Sequence, residues 1–600
     1  MTNERAANSH ASPGLLIFGL VLSSLIAALP GGAALAGASA AGTNKEQAPL
    51  VENVTVDIVN LEVVVSDSKG KRVKGLTAAD FELLQDERPQ RITNFYAVEG
   101  GSLVPEKPAD GAPAESTPAP SSSPRKTWIV VYIDNQFLSP LHRNRVVKGV
   151  EDFLRKNLAK DSEAMIVTAD HDFKIRKKFT SRLGDLVEVL DVIEGESAFA
   201  GGAVADRSRV FEEIESSKSI EKAESLVRNY AKSSRNDVDF SLGTLKEMLR
   251  TLSGLEGRKI LLHVSDGIPV SPGRELFEAI GRKFKDSSYV SSLPEFDRSL
   301  SFESVVNQAN AVGVTIYALD ASGLSLEGVG SAETGRPSGE GESLFAIRWN
   351  SQDSLKQMAD GTGGIAILNK NDPTDALEDL SRDLTNYYSL GFPAPTAGTE
   401  RIRRLEVKLK KKGLSLRYRR GFSEKGMFQR ISEQVVSSLY YPRNDNPLGI
   451  SVTRGKPVSA GQGAYLVPLD IRIPIGKVVL VPEGEKQLGR VHLYFAVLDS
   501  NSRQSEMVTA NQDIEVPNSK IEQARRQDFI YETKLLMLPG SQRLSLAVRD
   551  EISSQTSFLT SDLFISVLDV ESGGARPGLL PASPRSSNGP PAGSPAPKIP

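Results

Sequence analysis

The sequence predicts an α/β protein: a doubly wound, Rossmann-like sheet flanked by N-terminal and C-terminal β-sandwich-like domains. Three observations support this fold class. Residues 128–133 are six consecutive apolar residues followed by Asp134, as in a strand buried on both faces of a parallel sheet. From residue 127 onwards strands and amphipathic helices alternate, and right-handed crossovers then produce a doubly wound sheet. Beyond residue 424 we expect no helices, because alternating strands recur at regular intervals, which is typical of a sandwich.

The composition narrows the class of protein. A chain of 600 residues is too long for one domain. The 72 Lys and Arg residues nearly balance the 75 Asp and Glu residues, so the chain lacks the net positive charge that would attract a nucleic acid. Cysteine is absent, which excludes disulfides, thiolate zinc sites and cysteine nucleophiles. Exported eukaryotic chains of this size usually carry disulfides, so export without cysteine points to bacteria.

The N-terminus has the pattern of a signal peptide, predicted at residues 1–40. Residues 15–29 form an apolar run that is shorter than the ~20 residues needed to span a bilayer. Small residues follow, with A-x-A cleavage sites at 34–36 and 38–40. We therefore expect an exported protein, in the periplasm, at the cell surface or secreted, with no membrane span after cleavage. An uncleaved N-terminal anchor is the alternative.

Shifts in composition divide the rest of the chain. Residues 51–98 alternate apolar and polar residues around turns, which predicts a few short strands. The predicted segments are a small β (Ig-like) domain at 51–98, a Pro/Ala/Ser linker at 99–125, the α/β domain at 126–422, a β-sandwich domain at 424–570 and a disordered Pro-rich tail at 571–600.

Within the α/β domain, the pattern indicates which strand lies at an edge and where the longer helices run. The segment 173–179 (FKIRKKF) places charges on one side, so we expect an antiparallel edge strand there. A long, charge-laced helix is expected at 207–233, and a separate helix is expected to start near Ser241. Three predicted strands end in an acid, namely Asp134, Asp266 and Asp320. Ligands of open α/β sheets bind outside the carboxyl ends of the strands, so these acids are the first site candidates.

Several segments together resemble the VWFA-related domain family of exported bacterial proteins, whose fold is that of von Willebrand factor A. The segments that carry the resemblance are FELLQDERPQRITNF, SLGTLKEMLRTLSGLEGRKILLHVSDGIP, VTIYALDASGL, LKQMADGTGGIAI, NYYSLGF and LSLRYRRGF. They lie within residues 54–422. The resemblance implies a von Willebrand factor A-type sheet for the α/β domain.

The resemblance also implies a site for a divalent cation, Mg²⁺ or Mn²⁺, that keeps a position open for a carboxylate of a partner. Asp134 matches the first acid of the family's D-x-S-x-S loop, Ser241 takes the place of its threonine, and Asp266 matches its last acid. Gln136 and Leu138 stand where the family has serines. The alternative is that Asp134 and Asp266 accept hydrogen bonds from backbone N–H groups at helix N-termini and bind no metal.

Sequence signals of an enzyme are absent. The chain has no P-loop, no G-x-S-x-G, no H-E-x-x-H and no G-x-G-x-x-G after a strand, so we predict no catalytic residue and no organic cofactor. His263 falls inside a buried strand and is expected to be a core histidine. Asp170, His171 and Asp172 are interpreted as a strand-end turn, with metal ligation as the alternative.

These observations predict an exported binding protein that contacts a protein partner, as in adhesion. Two alternatives belong to other classes. One is an exported metal-dependent hydrolase that uses Asp134, Asp266 and His171. The other is a structural envelope component with no metal.

Overall fold

The computed structural model describes residues 58–104, 126–158, 161–170, 172–196, 200–324, 340–393, 401–461 and 463–566. The predicted signal peptide, most of the predicted linker and the predicted tail lie outside the described residues, and so does His171. Among the described residues, no helix is both long and apolar enough to cross a bilayer.

The described chain begins with five short strands, in agreement with the β pattern of its sequence. They are β1 (Ile58–Ser66), β2 (Phe81–Gln85), β3 (Arg88–Gln90), β4 (Asn94–Glu99) and β5 (Ser102–Val104).

Strands and helices then alternate through residue 385. The strands are β6 (Thr127–Asp134), β7 (Ser162–Ala169), β8 (Phe173–Thr180), β9 (Arg258–Ser265), β10 (Val314–Asp320) and β11 (Ala366–Ile367). The helices are α1 (Pro140–Asn157), α2 (Leu183–Glu194), α3 (Ala200–Ser216), α4 (Ile220–Thr251), α5 (Arg274–Phe284), α6 (Leu293–Phe296), α7 (Ser299–Val312), α8 (Glu340–Thr362) and α9 (Thr374–Thr385).

The six strands form one mixed sheet in the order β11-β10-β9-β6-β7-β8. Numbered within the domain, this order is 6-5-4-1-2-3, which is that of a doubly wound sheet. All neighbours are parallel except β8, which pairs antiparallel with β7 at the edge, as its sequence predicts. Alternate residues of β6 enter two cores, one against α1, α2 and α9 and the other against α4, α7 and α8. The predicted α/β sheet is confirmed.

The first correction concerns the end of this domain, which the sequence places at residue 422. Four strands follow α9: β12 (Tyr387–Pro393), β13 (Ile402–Leu409), β14 (Ser415–Arg417) and β15 (Gly421–Ser423). They pair with the N-terminal strands, in the sheets β14-β1-β12-β4-β5 and β15-β13-β2-β3. Leu390 and Val407 bury their side chains with Leu61 and Phe81 in a core of their own. The described residues of the predicted N-terminal domain, from Ile58 onwards, are therefore only half of a sandwich, and the α/β domain is inserted between its halves.

The second correction concerns the helix expected to start near Ser241. Ser241 lies well inside α4, which is 32 residues long. Buried residues recur at helical spacing across the expected break, at Val227, Ala231, Val238 and Leu242. The intervening polar residues include no glycine or proline, so nothing terminates the helix before Ser241.

The C-terminal domain begins with a helix, which contradicts the expectation of strands alone beyond residue 424. This helix is α10 (Met427–Tyr440), and α11 (Ile521–Ala524) is a single turn. The strands are β16 (Ser451–Arg454), β17 (Val458–Gly461), β18 (Ala464–Pro474), β19 (Val481–Glu483), β20 (Lys486–Leu498), β21 (Val508–Pro517), β22 (Asp528–Met537), β23 (Gly540–Asp550) and β24 (Thr556–Ile565). They form two antiparallel sheets, one around β18 and the other around β20 and β23, that share one apolar core. The predicted sandwich is confirmed, with α10 packed on the outer face of the second sheet.

Candidate functional site

Asp134 ends the central strand β6 and is completely buried. Ser265 Oγ donates a hydrogen bond of 3.3 Å to its Oδ2, and the backbone N–H of Phe137 donates one of 3.4 Å to its Oδ1. His263 Nε2 lies 3.7 Å from the same Oδ2. Both hydrogen bonds are long, and burial raises the pKa of Asp134 to about 7. The carboxyl group therefore lacks full compensation for a negative charge.

His263 lies beside Asp134 in the interior of β9 and is the core histidine that its sequence position predicts. Its ring stacks on that of Tyr132, with 5.5 Å between the centroids. Neither ring nitrogen has a hydrogen-bond partner among the described residues. Burial lowers its pKa to about 4, so His263 is neutral at pH 7 and supplies no counter-charge to Asp134.

Asp266 follows the adjacent strand β9 and links the two loops at this edge. Its Oδ2 accepts a hydrogen bond of 3.0 Å from the backbone N–H of Ser139 and lies 2.8 Å from His142 Nδ1. Ser139 is also the N-cap of α1, since its hydroxyl accepts the N–H of His142, and Pro140 occupies the first helical position. Part of the capping alternative is thus observed, because a backbone N–H at the start of α1 does bind the Asp266 carboxylate.

Two oxygen atoms at this edge are left without a partner. Asp266 Oδ1 and Gln136 Oε1 are both buried, and neither accepts a hydrogen bond from any described residue. Buried acceptors in this state are uncommon, and each one calls for an explanation such as a bound ion or water. Both residues line the same cleft.

This cleft, called the carboxyl-edge cleft below, has a volume of about 460 Å³ and lies over the carboxyl ends of β6, β9 and β10. Two arginines that line it hold the turn after β10: Arg145 donates to the carbonyl of Ala321, and Arg348 to the carbonyl of Gly323. Leu324 also lines it, with 54% of its surface exposed. The cleft thus combines unpartnered oxygens, cationic side chains and an exposed apolar residue.

The other two candidates lie apart from this set. Asp320 is buried, and its carboxylate is satisfied by Gln352 Nε2 at 2.7 Å and by the backbone N–H of Ser322 at 2.9 Å. Ser241 is buried on α4, next to Leu242 of the sheet core. No hydrogen bond or ion pair among the described residues joins Ser241 to Asp134 or to Asp266.

The residues at this edge suit a hard divalent cation, though with a different third ligand from the one predicted. Within the described part of the chain, no group of three His, Cys, Asp or Glu side chains is placed to hold a metal. Two carboxylates and an amide oxygen, from Asp134, Asp266 and Gln136, are nevertheless the oxygen donors that Mg²⁺ and Mn²⁺ prefer. Gln136 Oε1 is buried and has no partner among the described residues, so it is the candidate for the third ligand.

Reasoning from sequence missed two members of the site. Gln136 departs from the serine of the family's loop, although an amide oxygen can itself bind a metal ion. His142 belongs to none of the motifs that the sequence offers. The signal for His142 is its position three residues after the N-cap Ser139, in the first turn of a helix that begins at the carboxyl end of β6.

No protein-family model matches the chain, and no curated protein matches it. Among solved structures, it is similar to the conserved hypothetical protein BatB from Bacteroides thetaiotaomicron, with 9% identity over 43% of this chain and 97% of that one and a TM-score of 0.21. It is similar to three N-terminal domains of the type V pili tip protein Mfa5 from Porphyromonas gingivalis, with 10% identity over 74% and 70% of the two chains and a TM-score of 0.23. It is also similar to the ArnB paralog VWA2 from Sulfolobus acidocaldarius, with 10% identity over 85% and 76% and a TM-score of 0.18.

Proposed function

We propose that this chain is an exported protein of the von Willebrand factor A type that binds a protein partner at the carboxyl-edge cleft, as in adhesion. The observation that carries the proposal is a pair of buried oxygens, Gln136 Oε1 and Asp266 Oδ1, that have no partner among the described residues. Both residues line a cleft that also has exposed apolar residues. A folded chain loses free energy for each such oxygen unless a ligand completes it. A ligand that enters the cleft would complete both oxygens.

A divalent cation, Mg²⁺ or Mn²⁺, is the ligand that we propose for these oxygens, held by Asp134, Gln136 and Asp266. Burial raises the pKa of Asp134, and the nearby charge of Asp266 raises it further. A bound cation would supply the missing positive charge and an open position for a carboxylate of the partner. The hydrogen bond from the backbone N–H of Ser139 to the Asp266 carboxylate holds the loop after β6 against the loop after β9.

The apolar residues of the cleft would supply the rest of the binding free energy. Val204 and Leu324 line the cleft and expose 49% and 54% of their surface. Covering a side chain of this size stabilises a complex by about 1 to 2 kcal/mol through burial of apolar area. Arg348 lines the same cleft, and arginine is among the residues that dominate protein interfaces.

Capture of partners from a native envelope fraction tests this proposal, with the full chain as bait in Mg²⁺ and in EDTA. The cleft variant is Val204→Asp combined with Leu324→Asp. The matched control is Leu300→Asp, which is 80% exposed and lies outside the cleft. In Mg²⁺ we expect the wild type and the control to capture the same proteins. The cleft variant should not capture them, and no bait should capture them in EDTA. Equal capture by all three proteins would contradict docking at the cleft.

A second function, hydrolysis, is favoured by one observation. His142 Nδ1 lies 2.8 Å from Asp266 Oδ2, and both residues line the cleft. A carboxylate that orients a histidine is the arrangement of a general base. It differs from the hydrolase expected from sequence, which relied on His171. Hydrolysis of p-nitrophenyl acetate or casein by the wild type, abolished in His142→Ala, would establish this function in place of simple binding.

A further inference from the structure

The outer face of the second sheet of the C-terminal domain is only partly covered by α10. Ile431, Val435 and Leu439 of this helix pack against Tyr494 and Ala547. Next to the N-terminal turn of α10 the helix no longer covers the sheet, and a surface pocket of about 710 Å³ lies there. It is lined by Met427, Phe428, Arg490, His492, Tyr494, Asn511, Asp513, Arg549 and Glu551.

The strand register explains why these side chains share one face. Successive residues of a strand point to opposite faces, so Arg490, His492 and Tyr494 of β20 lie on the outer face. On one side, Asp513 and Asn511 of β21 pair with Arg490 and His492. On the other side, β23 places Arg549 opposite His492. The pocket therefore has a rigid floor of three hydrogen-bonded strands.

Three rings form one wall of the pocket. The rings of His492 and Tyr494 stack with 4.3 Å between centroids, and Phe428 lies 5.6 Å from Tyr494 and 6.3 Å from His492. The Tyr494 hydroxyl and His492 Nδ1 are hydrogen-bonded at 3.1 Å, which fixes both rings. Phe428 exposes 52% of its surface although apolar partners lie beside it. An exposed aromatic ring on an ordered aromatic cluster is a surface for stacking a flat, partly apolar ligand.

The polar side chains of the pocket form oppositely charged pairs. Arg490 Nε lies 2.7 Å from Asp513 Oδ1, and Arg549 Nε lies 3.5 Å from Glu551 Oε1. The two arginines and two acids sum to zero, so the pocket has no net attraction for an anion or a cation. Arg490, Asp513 and Glu551 nevertheless keep between 35% and 53% of their side-chain surface exposed. They present both donors and acceptors to a ligand.

We propose that this pocket binds a neutral saccharide. A sugar ring has a C–H face that can cover Phe428 and hydroxyl groups that donate and accept hydrogen bonds at once. Hydroxyls of this kind pair with a carboxylate and a guanidinium side by side, as Asp513 and Arg490 offer them. A charged ligand would be repelled by one member of each pair, an anion by the acid and a cation by the arginine. This site is separate from the carboxyl-edge cleft and does not depend on the function proposed for it.

Isothermal titration calorimetry on the full chain tests the proposal, with chitohexaose, cellohexaose, maltohexaose and xylohexaose as probes and hexagalacturonate as the acidic comparator. We expect heat from at least one neutral hexasaccharide and none from hexagalacturonate. Phe428→Ala should weaken that binding about tenfold, the size of effect expected for loss of an aromatic contact. The matched control is Phe564→Ala, because Phe564 is 66% exposed in the same domain and lies outside the pocket.

A second variant keeps the test decisive if Phe428→Ala does not fold. Asp513→Asn removes a carboxylate that is about half exposed, so it should leave the melting temperature unchanged while weakening binding severalfold. No heat from any neutral probe, tighter binding of hexagalacturonate, or equal binding by the wild type and both pocket variants would overturn the proposal.

Discussion

Asp383 Oδ1 of α9 accepts a hydrogen bond of 2.7 Å from Arg72 Nε, and this pair joins the inserted α/β domain to the sandwich around it. Arg417 of β14 donates to both oxygens of the same carboxylate at 2.8 and 2.7 Å, and the Tyr317 hydroxyl donates at 3.2 Å. Asp383 is completely buried, and Arg72 nearly so. Asp383 of the inserted domain thus binds one arginine from each half of the sandwich, Arg72 and Arg417.

We predict that Asp383→Ala destabilises the protein by about 3 to 5 kcal/mol, because it removes the carboxylate shared by Arg72, which is nearly buried, and Arg417, which is 24% exposed. Urea unfolding followed by circular dichroism measures this change. The matched control is Asp379→Ala, since Asp379 also approaches Arg72, at 3.7 Å, but is 45% exposed. Its loss should cost no more than about 1 kcal/mol. Equal effects of the two variants would show that the buried pair does not join the domains.

A second prediction follows from β1, which lies between β12 and β14 although it precedes them by more than 300 residues. If a protease site is placed within residues 105–125 and cut, the piece containing 58–104 should stay bound to the rest. The backbone pairing and the shared apolar core hold it without a covalent link. Size-exclusion chromatography should show one peak containing both pieces, which separate only in denaturant. Release of the N-terminal piece in native buffer would mean that residues 51–98 are an independent domain after all.

The third prediction concerns pH. The folded pKa of Asp134, about 7, is above its unfolded value of 3.8, so its contribution to stability is full below pH 3.8 and is lost as the pH rises to about 7. The folded pKa of His263, about 4, is below its unfolded value of 6.5, so its contribution is full above pH 6.5 and is lost as the pH falls to about 4. Between pH 4 and 6.5 the two effects oppose each other, and the wild type should show little pH dependence from this pair.

Asp134→Asn separates the two contributions. In EDTA, the variant should match the wild type near pH 4 and exceed its stability increasingly up to pH 7.5, by at most about 4 kcal/mol for a shift of three pKa units. Urea midpoints at pH 4.5, 5.5, 6.5 and 7.5 measure the difference. A difference that does not change with pH would indicate that Asp134 ionises normally in the folded protein.

The α/β sheet could be predicted because local signals define it. The apolar run of β6 and the acid at its end are visible without any tertiary information, and so are the one-sided charges of β8. The domain to which residues 387–423 belong could not be predicted in the same way. Alternating apolar residues show that β12 and β13 have a buried face, but they do not show which sheet they join, because the partner is set by contacts more than 300 residues away.

The candidate site was predictable in part for a similar reason. Asp134 and Asp266 lie at the ends of adjacent strands, so the topology alone brings them together. Ser241 takes the place of the family's threonine only if a helix starts near it, whereas α4 begins 21 residues earlier, at Ile220. Gln136 and His142 depend on the geometry of the loop after β6, where Ser139 and Asp266 are hydrogen-bonded, and sequence periodicity does not describe loops.

The most direct test of the carboxyl-edge cleft as a cation-dependent binding site is calorimetric titration of Mg²⁺ and Mn²⁺ into the metal-free full chain. We predict saturable heat for the wild type and a melting temperature several degrees higher in excess Mg²⁺ than in EDTA, since a hundredfold excess over Kd stabilises by about 2.7 kcal/mol. Asp266→Asn and Gln136→Ala should lose both signals. Asp320→Asn should keep them, because Gln352 of α8 and the backbone N–H of Ser322 already satisfy that acid. No heat from either metal at millimolar concentration, with identical melting in Mg²⁺ and EDTA, would contradict the cation-dependent site.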